Sequence, residues 1–457
     1  LHDWLKAEAL CQRERHAEHS RETFDAVLDL SEKIASEQFA PINRLTDEHE
    51  PTFDGVTVTL PKETPVAMAA FNEAGLMAAS KDVELGGMQL PTVVEIASMS
   101  FFYKASVSLA AYPMLTRGNA NTILAHGTPK QIEVFAKGGL EGRTFGTMCL
   151  SEPQAGSSLS DISTRAVPDV KGDGTGVDWT EDVLGKRYRL KGNKMWISGG
   201  EHEMGENIVH LVLAKIPGPD GKPVPGVKGI SLFIVPRKLV RADGSITSQR
   251  NDVALAGLNH KCGYRGTVNT LLNFGEGKFP VNGEAGAVGY LIGQEGEGLK
   301  CMFTLMNEAR ISVGVGATML GYAGYEYSLQ YAKDRPQGRH MGVGEIQNMH
   351  VVADRRAVAG VIVVAKDREI GPLAQGDLDG ERQGVGFRLV PLTDTALRIG
   401  ARRVEIPQDR AAEADIAIVI GQRLLDHQLA ATVRVQRRLW VSLGHRQMNR
   451  IPEGRAR

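Results

Sequence analysis

Apolar positions in the first third of the chain recur at helical intervals. Phe24, Val27, Leu28, Leu30 and Ile34 form one stripe, and Met68, Ala69, Phe71 and Leu76 form another. Pro41, the turn-rich EPTFDG segment and the pair Gly86-Gly87 divide the region into separate helices. The pattern predicts an all-helical domain over residues 1–147.

From 148 the texture changes to strand-length apolar runs separated by Gly, Pro and Asn: YRLKGNKMWISGG, with a turn expected at Gly192-Asn193, then NIVHLVLAKI, GISLFIVP and TVNTLLNFG. IPGPDGKPVPG, between two of them, excludes helix and central strand and reads as a long exposed loop. Strands without intervening helices predict a β-sandwich or barrel over 148–285. Leu299, Met302, Met306, Ala309 and Val313 then share one helical face, which predicts the first helices of a C-terminal bundle over 290–340. The fold class is multi-domain α+β.

The pattern breaks near 340. Residues 341–457 hold 17 Arg and one Lys, against 16 Arg and 19 Lys before them, with no Tyr and Phe387 as the single Phe. Their apolar runs are short and carry no sustained stripe. Two expectations remain open for this unassigned segment: a shifted reading frame in a GC-rich source, or a divergent domain.

Charge narrows the choice of partner. With 53 basic and 54 acidic residues the net charge is -1, so no global field draws the chain to nucleic acid or an anionic membrane. Cys11, Cys149, Cys262 and Cys301 show neither metal-ligand nor disulfide spacing, so neither a zinc site nor a disulfide framework is indicated, and a reducing cytoplasm fits best. No apolar run is long enough for a transmembrane segment. The chain opens on Leu1 without an initiator Met or a signal pattern, so a missing or processed start is expected.

Candidate chemistry lies at two strand ends. MCLSEPQAGSS, residues 148–158, offers backbone N–H groups, hydroxyls and a glycine that admits close approach. Taken alone, it reads as an ordinary strand-to-loop turn. KGNKMWISGG, residues 191–200, sets the flat indole of Trp196 beside the Ser198 hydroxyl, a pairing suited to a planar aromatic ligand.

Together these stretches resemble the acyl-CoA dehydrogenase family, whose TEPxAGSD-like and KxWITN-like strand ends grip a flavin. The order also matches over about residues 60–340: helical domain, β-domain, the loop IGQEGEGL, MNEARISVG on a helix, then YAKDRPQGR. GGEHEMGENIVHLVLAK and LNHKCGYRG are most similar to the branch that includes 3-methylmercaptopropionyl-CoA dehydrogenases. Ser158 and Gly199 depart from the family, which favours Asp and Asn there.

The resemblance implies FAD as cofactor and α,β-dehydrogenation of an acyl-CoA, with 3-(methylthio)propanoyl-CoA or a short to long acyl chain as substrate, as in fatty acid metabolism. It implies Met148, Leu150 and Ser151 along the flavin ring, Gly156 and Ser157 flanking flavin and acyl-CoA, Trp196 covering the ring face, Ser198 near the flavin N5, and Ile197 among the cofactor contacts. Arg335 and Gln337 would reach the flavin diphosphate of a neighbouring subunit, which implies a homo-dimer or tetramer. Asn307, Arg310 and Ser157 would face the substrate, and an electron-transfer flavoprotein would accept the electrons. An acyl-CoA oxidase and a non-catalytic flavin-binding or acyl-CoA-binding remnant are the alternatives on the same fold.

The family's reaction needs a carboxylate base at the substrate α carbon. The Tyr-Glu-Gly-Thr-like motif that supplies it in most members is absent from this chain. A minority carry the Glu immediately before the Arg of MNEAR, where this chain has Ala309. Glu308, one residue earlier, is turned about 100° from that face. It is a weak candidate, more simply read as a locally paired acid, and the catalytic residue is unknown.

Overall fold

The computed structural model describes residues 1–169 and 182–334. The segment 341–457 lies outside the described residues. Helix α1 (Arg21–Ile34) starts on a reciprocal capping box between Ser20 and Thr23 and runs through a π-helical turn at Ala35–Phe39 into α2 (Ala40–Glu48). Pro41 therefore does not separate two helices: the wide turn before it accommodates a residue that lacks an amide hydrogen. The first region is also not wholly helical. EPTFDG opens a short hairpin of β1 (Thr52–Phe53) and β2 (Val58–Thr59), closed by the Asp54 carboxylate accepting from the amides of Val56 and Thr57.

Helix α3 (Glu63–Glu73), α4 (Thr92–Ala105) and α5 (Val107–His126) follow. The short α6 (Pro129–Gln131) and α7 (Lys137–Leu140) then lead into the sheet. Phe39, Phe71 and Phe102 meet edge to face with centroids 4.9 Å apart and form the core of the helical region.

Strand β3 (Thr144–Cys149) opens the sheet, ahead of the expected boundary at 148. It pairs in parallel with β6 (Asn207–Lys215). Strand β4 (Arg165–Pro168), β5 (Arg187–Ser198), β7 (Ile230–Pro236) and β12 (Ala287–Ile292) complete a ring in the order β4-β5-β12-β7-β6, which closes where Arg165 of β4 meets Lys215 of β6. Of the sandwich and the barrel that the pattern allows, this ring is the barrel. The C-terminal half of β5 leaves it to pair with β11 (Asn269–Phe274), which in turn pairs with β10 (Val253–Leu258). A separate ribbon joins β8 (Lys238–Val240) to β9 (Ile246–Arg250).

Helix α5 is tied to the sheet through one polar side chain. The Asn119 amide donates to the carbonyls of Thr147 on β3 and Val209 on β6, each at 2.9 Å. Gly146 makes this approach possible, since a Cβ there would lie 2.4 Å from Asn119 Cβ. Helix α8 (Gly298–Asp334) is about 55 Å long at 1.5 Å per residue and packs along α5 and α4. Cys301, Met302 and Leu305 are buried beneath it, whereas Phe303, Val313, Leu320, Tyr327 and Tyr331 are exposed among the described residues.

Candidate active site

The two strand ends singled out in the sequence are stitched together. Ser151 Oγ donates to the Met195 carbonyl at 2.7 Å, and the Met195 amide donates to the Ser151 carbonyl at 3.0 Å. The SEPQAGSS turn and the KMWIS segment therefore form one continuous edge. Gly192 and Asn193 do not make the expected turn, because β5 runs unbroken from Arg187 to Ser198. A glycine is favoured there by its φ of 154° and by packing, since a Cβ on Gly192 would lie 2.5 Å from Thr164 Oγ1.

Trp196 sits in a bulge. Ile197 pairs with Thr270 and Lys194 with Leu272, so Met195 and Trp196 together oppose Leu271 alone. The bulge places Trp196 at φ 66°, a left-handed conformation that a non-glycine residue rarely adopts, and leaves the indole 56% exposed. A large aromatic held out toward solvent on a strained backbone is what a ligand clamp requires and what core packing does not. Beside it, Ile197 is buried, so its side chain belongs to the core, and its carbonyl accepts from the Thr270 hydroxyl at 2.9 Å. Ser198 Oγ accepts from the Asn269 amide at 3.4 Å. Met148 and Leu150 are half-buried, while Gly156 and Ser157 are exposed. A Cβ on Gly156 would meet nothing within 4 Å, so the turn is open on that side.

Sequence reasoning missed the group that shapes this edge. Glu152 and Lys194 form an ion pair at 2.9 Å with both side chains fully buried. Glu152 also accepts from the amides and hydroxyls of Ser163 and Thr164, and from Gln154. Lys194 donates in addition to the Leu150 carbonyl at 3.0 Å. Burial alone would raise the Glu152 pKa. The Lys194 charge, the Thr164 hydroxyl and the Ser163 amide outweigh it and hold the carboxyl at about 2. Both residues were visible, Glu152 inside SEP and Lys194 two residues before Trp196, but nothing local pairs positions 42 residues apart.

Neighbouring nucleophiles are quiet. Cys149 is fully buried and its thiol is pushed up to about 12, so it carries no thiolate near neutral pH. His210 Nδ1 lies 2.8 Å from Thr147 Oγ1, and His202 packs edge-on against Phe145 and Tyr112. Burial, helped by the Arg237 charge, pushes both imidazoles down to about 3.

On α8, Glu308 turns onto α5, where both of its carboxylate oxygens accept from the Asn121 amide at 2.9 and 2.8 Å. Asn307 and Arg310 are exposed and bond each other at 3.0 Å, with the guanidinium 5.3 Å from the Phe303 ring centre. Arg335 and Gln337 lie outside the described residues. No helix among the described residues is long and apolar enough to cross a membrane, and these residues contain no metal-binding cluster.

A helical region, a β-barrel with two joined strand ends and a long helix leaving it form a fold shared with solved acyl-CoA dehydrogenases. Over about three quarters of its length, the chain is similar in sequence to acyl-CoA dehydrogenases. It is 35% identical over 340 residues to the 3-methylmercaptopropionyl-CoA dehydrogenase of Ruegeria pomeroyi, covering 74% of this chain and 52% of that protein. It is 32% identical over 345 residues to a butyryl-CoA dehydrogenase of Syntrophomonas wolfei, covering 73% and 52%. The chain thus spans about half the length of these relatives. Among solved structures, the butyryl-CoA dehydrogenase of Megasphaera elsdenii shares the fold at TM-score 0.53 and 20% identity, over 76% of this chain and 75% of that one. An acyl-CoA dehydrogenase of Bacillus anthracis complexed with FAD does so at TM-score 0.53 and 22% identity, over 71% and 46%. No protein-family model matches the chain.

Proposed function

We propose that this chain binds FAD along the Ser151–Met195 edge, with Trp196 against the ring, and acts in the α,β-dehydrogenation of an acyl-CoA. The observation that carries the reading is the left-handed, half-exposed Trp196 beside the two hydrogen bonds that join the strand ends. Bound there, FAD supplies the acceptor for the hydride that leaves the β carbon. The protein's share is to orient. Ser151 holds the edge in register, the backbone of Ile197 and the hydroxyl of Ser198 line the ring's polar side, and Met148 and Leu150 offer an apolar floor. Gly156 and Ser157 leave the open turn free for the thioester and its CoA arm, and the exposed Asn307 and Arg310 of α8 would face the substrate.

The proton from the α carbon needs a carboxylate within hydrogen-bond reach. Glu308 is engaged by Asn121 on α5 and does not present itself for that role. This supports a second reading, a protein that binds flavin and acyl-CoA without turning them over. The likeness to a 3-methylmercaptopropionyl-CoA dehydrogenase makes 3-(methylthio)propanoyl-CoA the first substrate to try. An electron-transfer flavoprotein is the acceptor the dehydrogenase reading calls for, and reoxidation by oxygen would indicate an oxidase.

Anaerobic titration of the FAD-loaded protein with that acyl-CoA separates the readings. Bleaching of the flavin band supports dehydrogenation. A shifted but unbleached band supports binding alone, and an unchanged band refutes both.

A further inference from the structure

Helices α5 and α8 run antiparallel and touch at three levels. His126 Nε2 meets Thr304 Oγ1 at 2.9 Å, Asn121 meets Glu308, and Gly118 lies under Leu305. A Cβ on Gly118 would come within 3.1 Å of Leu305 Cγ and 3.6 Å of the Glu308 carboxylate, so the helices approach more closely than an alanine there would fit without a small shift. Met306 and Ala309, on the turn that carries Glu308, pack against the same apolar cluster as Met148 and Leu150. One residue of rotation would move them about 100° away from it.

Glu308 is held by an amide rather than by a cation. Charged groups face it from each neighbouring element: Lys81 from the loop before α4, Glu95 from α4 and Arg117 from α5. Glu95 and Arg117 are paired at 3.1 Å, and Ser80 Oγ donates to Glu95 at 3.0 Å. Lys81 acts on Glu308 through its charge, without a hydrogen bond. Burial raises the Glu308 carboxyl, against the Asn121 hydrogen bond and the charges of Arg117 and Lys81.

We propose that Asn121 and Glu308 are a positioning pair that fixes the rotation of α8 on α5, and so keeps Met306 and Ala309 seated on the cluster that carries the flavin edge. The inference rests on the FAD reading above. An amide partner gives this contact a specific vulnerability: a second carboxylate at position 121 would repel Glu308 wherever both are ionised. Exchanging the two groups, with the acid at 121 and the amide at 308, would restore the bond.

The test uses the full chain, with FAD affinity measured from pH 5.5 to pH 8 and amide hydrogen exchange followed along α8. Asn121→Asp is expected to weaken FAD binding about tenfold at pH 8, with the defect shrinking toward pH 5.5. The double variant Asn121→Asp/Glu308→Gln is expected to recover affinity at both ends of the range. Equal affinity of Asn121→Asp and the unmodified protein at pH 8, or a double variant no better than the single, overturns the pair. If Asn121→Asp does not accumulate as folded protein, recovery in the double variant supports the proposal and failure to recover overturns it. If the unmodified chain binds no FAD, the flavin reading fails by itself. The pair is then judged on exchange: faster α8 exchange in Asn121→Asp that is restored by the double variant supports it, and unchanged exchange overturns it.

Discussion

Replacing Lys194 by Met tests what holds the strand ends together. The substitution keeps the length of the side chain and removes its charge, leaving the Glu152 carboxylate buried without its cation. Removing one partner of a buried ion pair costs about 3–5 kcal/mol. The donors that remain, from Ser163, Thr164 and Gln154, still solvate the carboxylate and favour the lower end of that range. The pair also makes stability depend on pH. Glu152 is depressed from 4.5 to about 2, and at about 1.4 kcal/mol per unit this amounts to roughly 3 kcal/mol. Lys194 is itself pulled below the ordinary lysine range by burial and offsets part of that. Because the folded pKa is the lower one, the contribution is complete above pH 4.5 and is lost as pH falls from 4.5 toward 2. Guanidinium unfolding at pH 7 and at several points down to pH 3, followed by near-UV circular dichroism, reads both effects. Lys194→Met should unfold about 3 kcal/mol earlier at pH 7 and show a flatter acid limb. A variant within about 1 kcal/mol of the unmodified protein at pH 7, or one with the same acid limb, would refute the reasoning.

Three further perturbations address separate parts of the structure. His202 and His210 are pushed from 6.5 to about 3, so the unfolded state takes up protons first, and stability should start to fall below pH 6.5. His202→Phe, which keeps the ring between Phe145 and Tyr112, should reduce the loss between pH 6 and pH 4 in a thermal melt; an unaltered acid limb would contradict this. Gly146→Ala should cost about 2–4 kcal/mol in chemical unfolding, since the added carbon displaces Asn119 and its two bonds to the sheet; a change below about 1 kcal/mol would show that α5 can retreat. Trp196→Gly relieves a left-handed φ and uncovers little core, so the thermal midpoint should stay within a few degrees while FAD affinity drops at least about tenfold. A large loss of stability would assign Trp196 to the core instead.

Local chemistry made some of this molecule readable in its sequence. The Ser151 and Trp196 stretches announced themselves because strand ends, hydroxyls and an indole are local signals, and the structure brings them within hydrogen-bond reach of each other. The stripe from Leu299 to Val313 reads as a helix for the same reason, since its period is written in consecutive turns. Pairings between distant positions left no such trace. Lys194 could have faced solvent on a strand end, and Glu308 any neighbour; Glu152 and Asn121 became their partners only through the sheet register and the α5–α8 crossing. Pro41 misled because its usual effect, ending a helix, is absorbed here by the π turn upstream. The EPTFDG hairpin reads as punctuation in the sequence because two-residue strands are too short to show alternation.

The central claim, that these strand ends hold a flavin, meets its most direct test in the absorbance spectrum of the purified chain after incubation with FAD and removal of the unbound excess. Retained flavin bands in the visible blue, lost in Trp196→Gly, are the predicted result. A colourless protein, or bands retained equally by both, would contradict it.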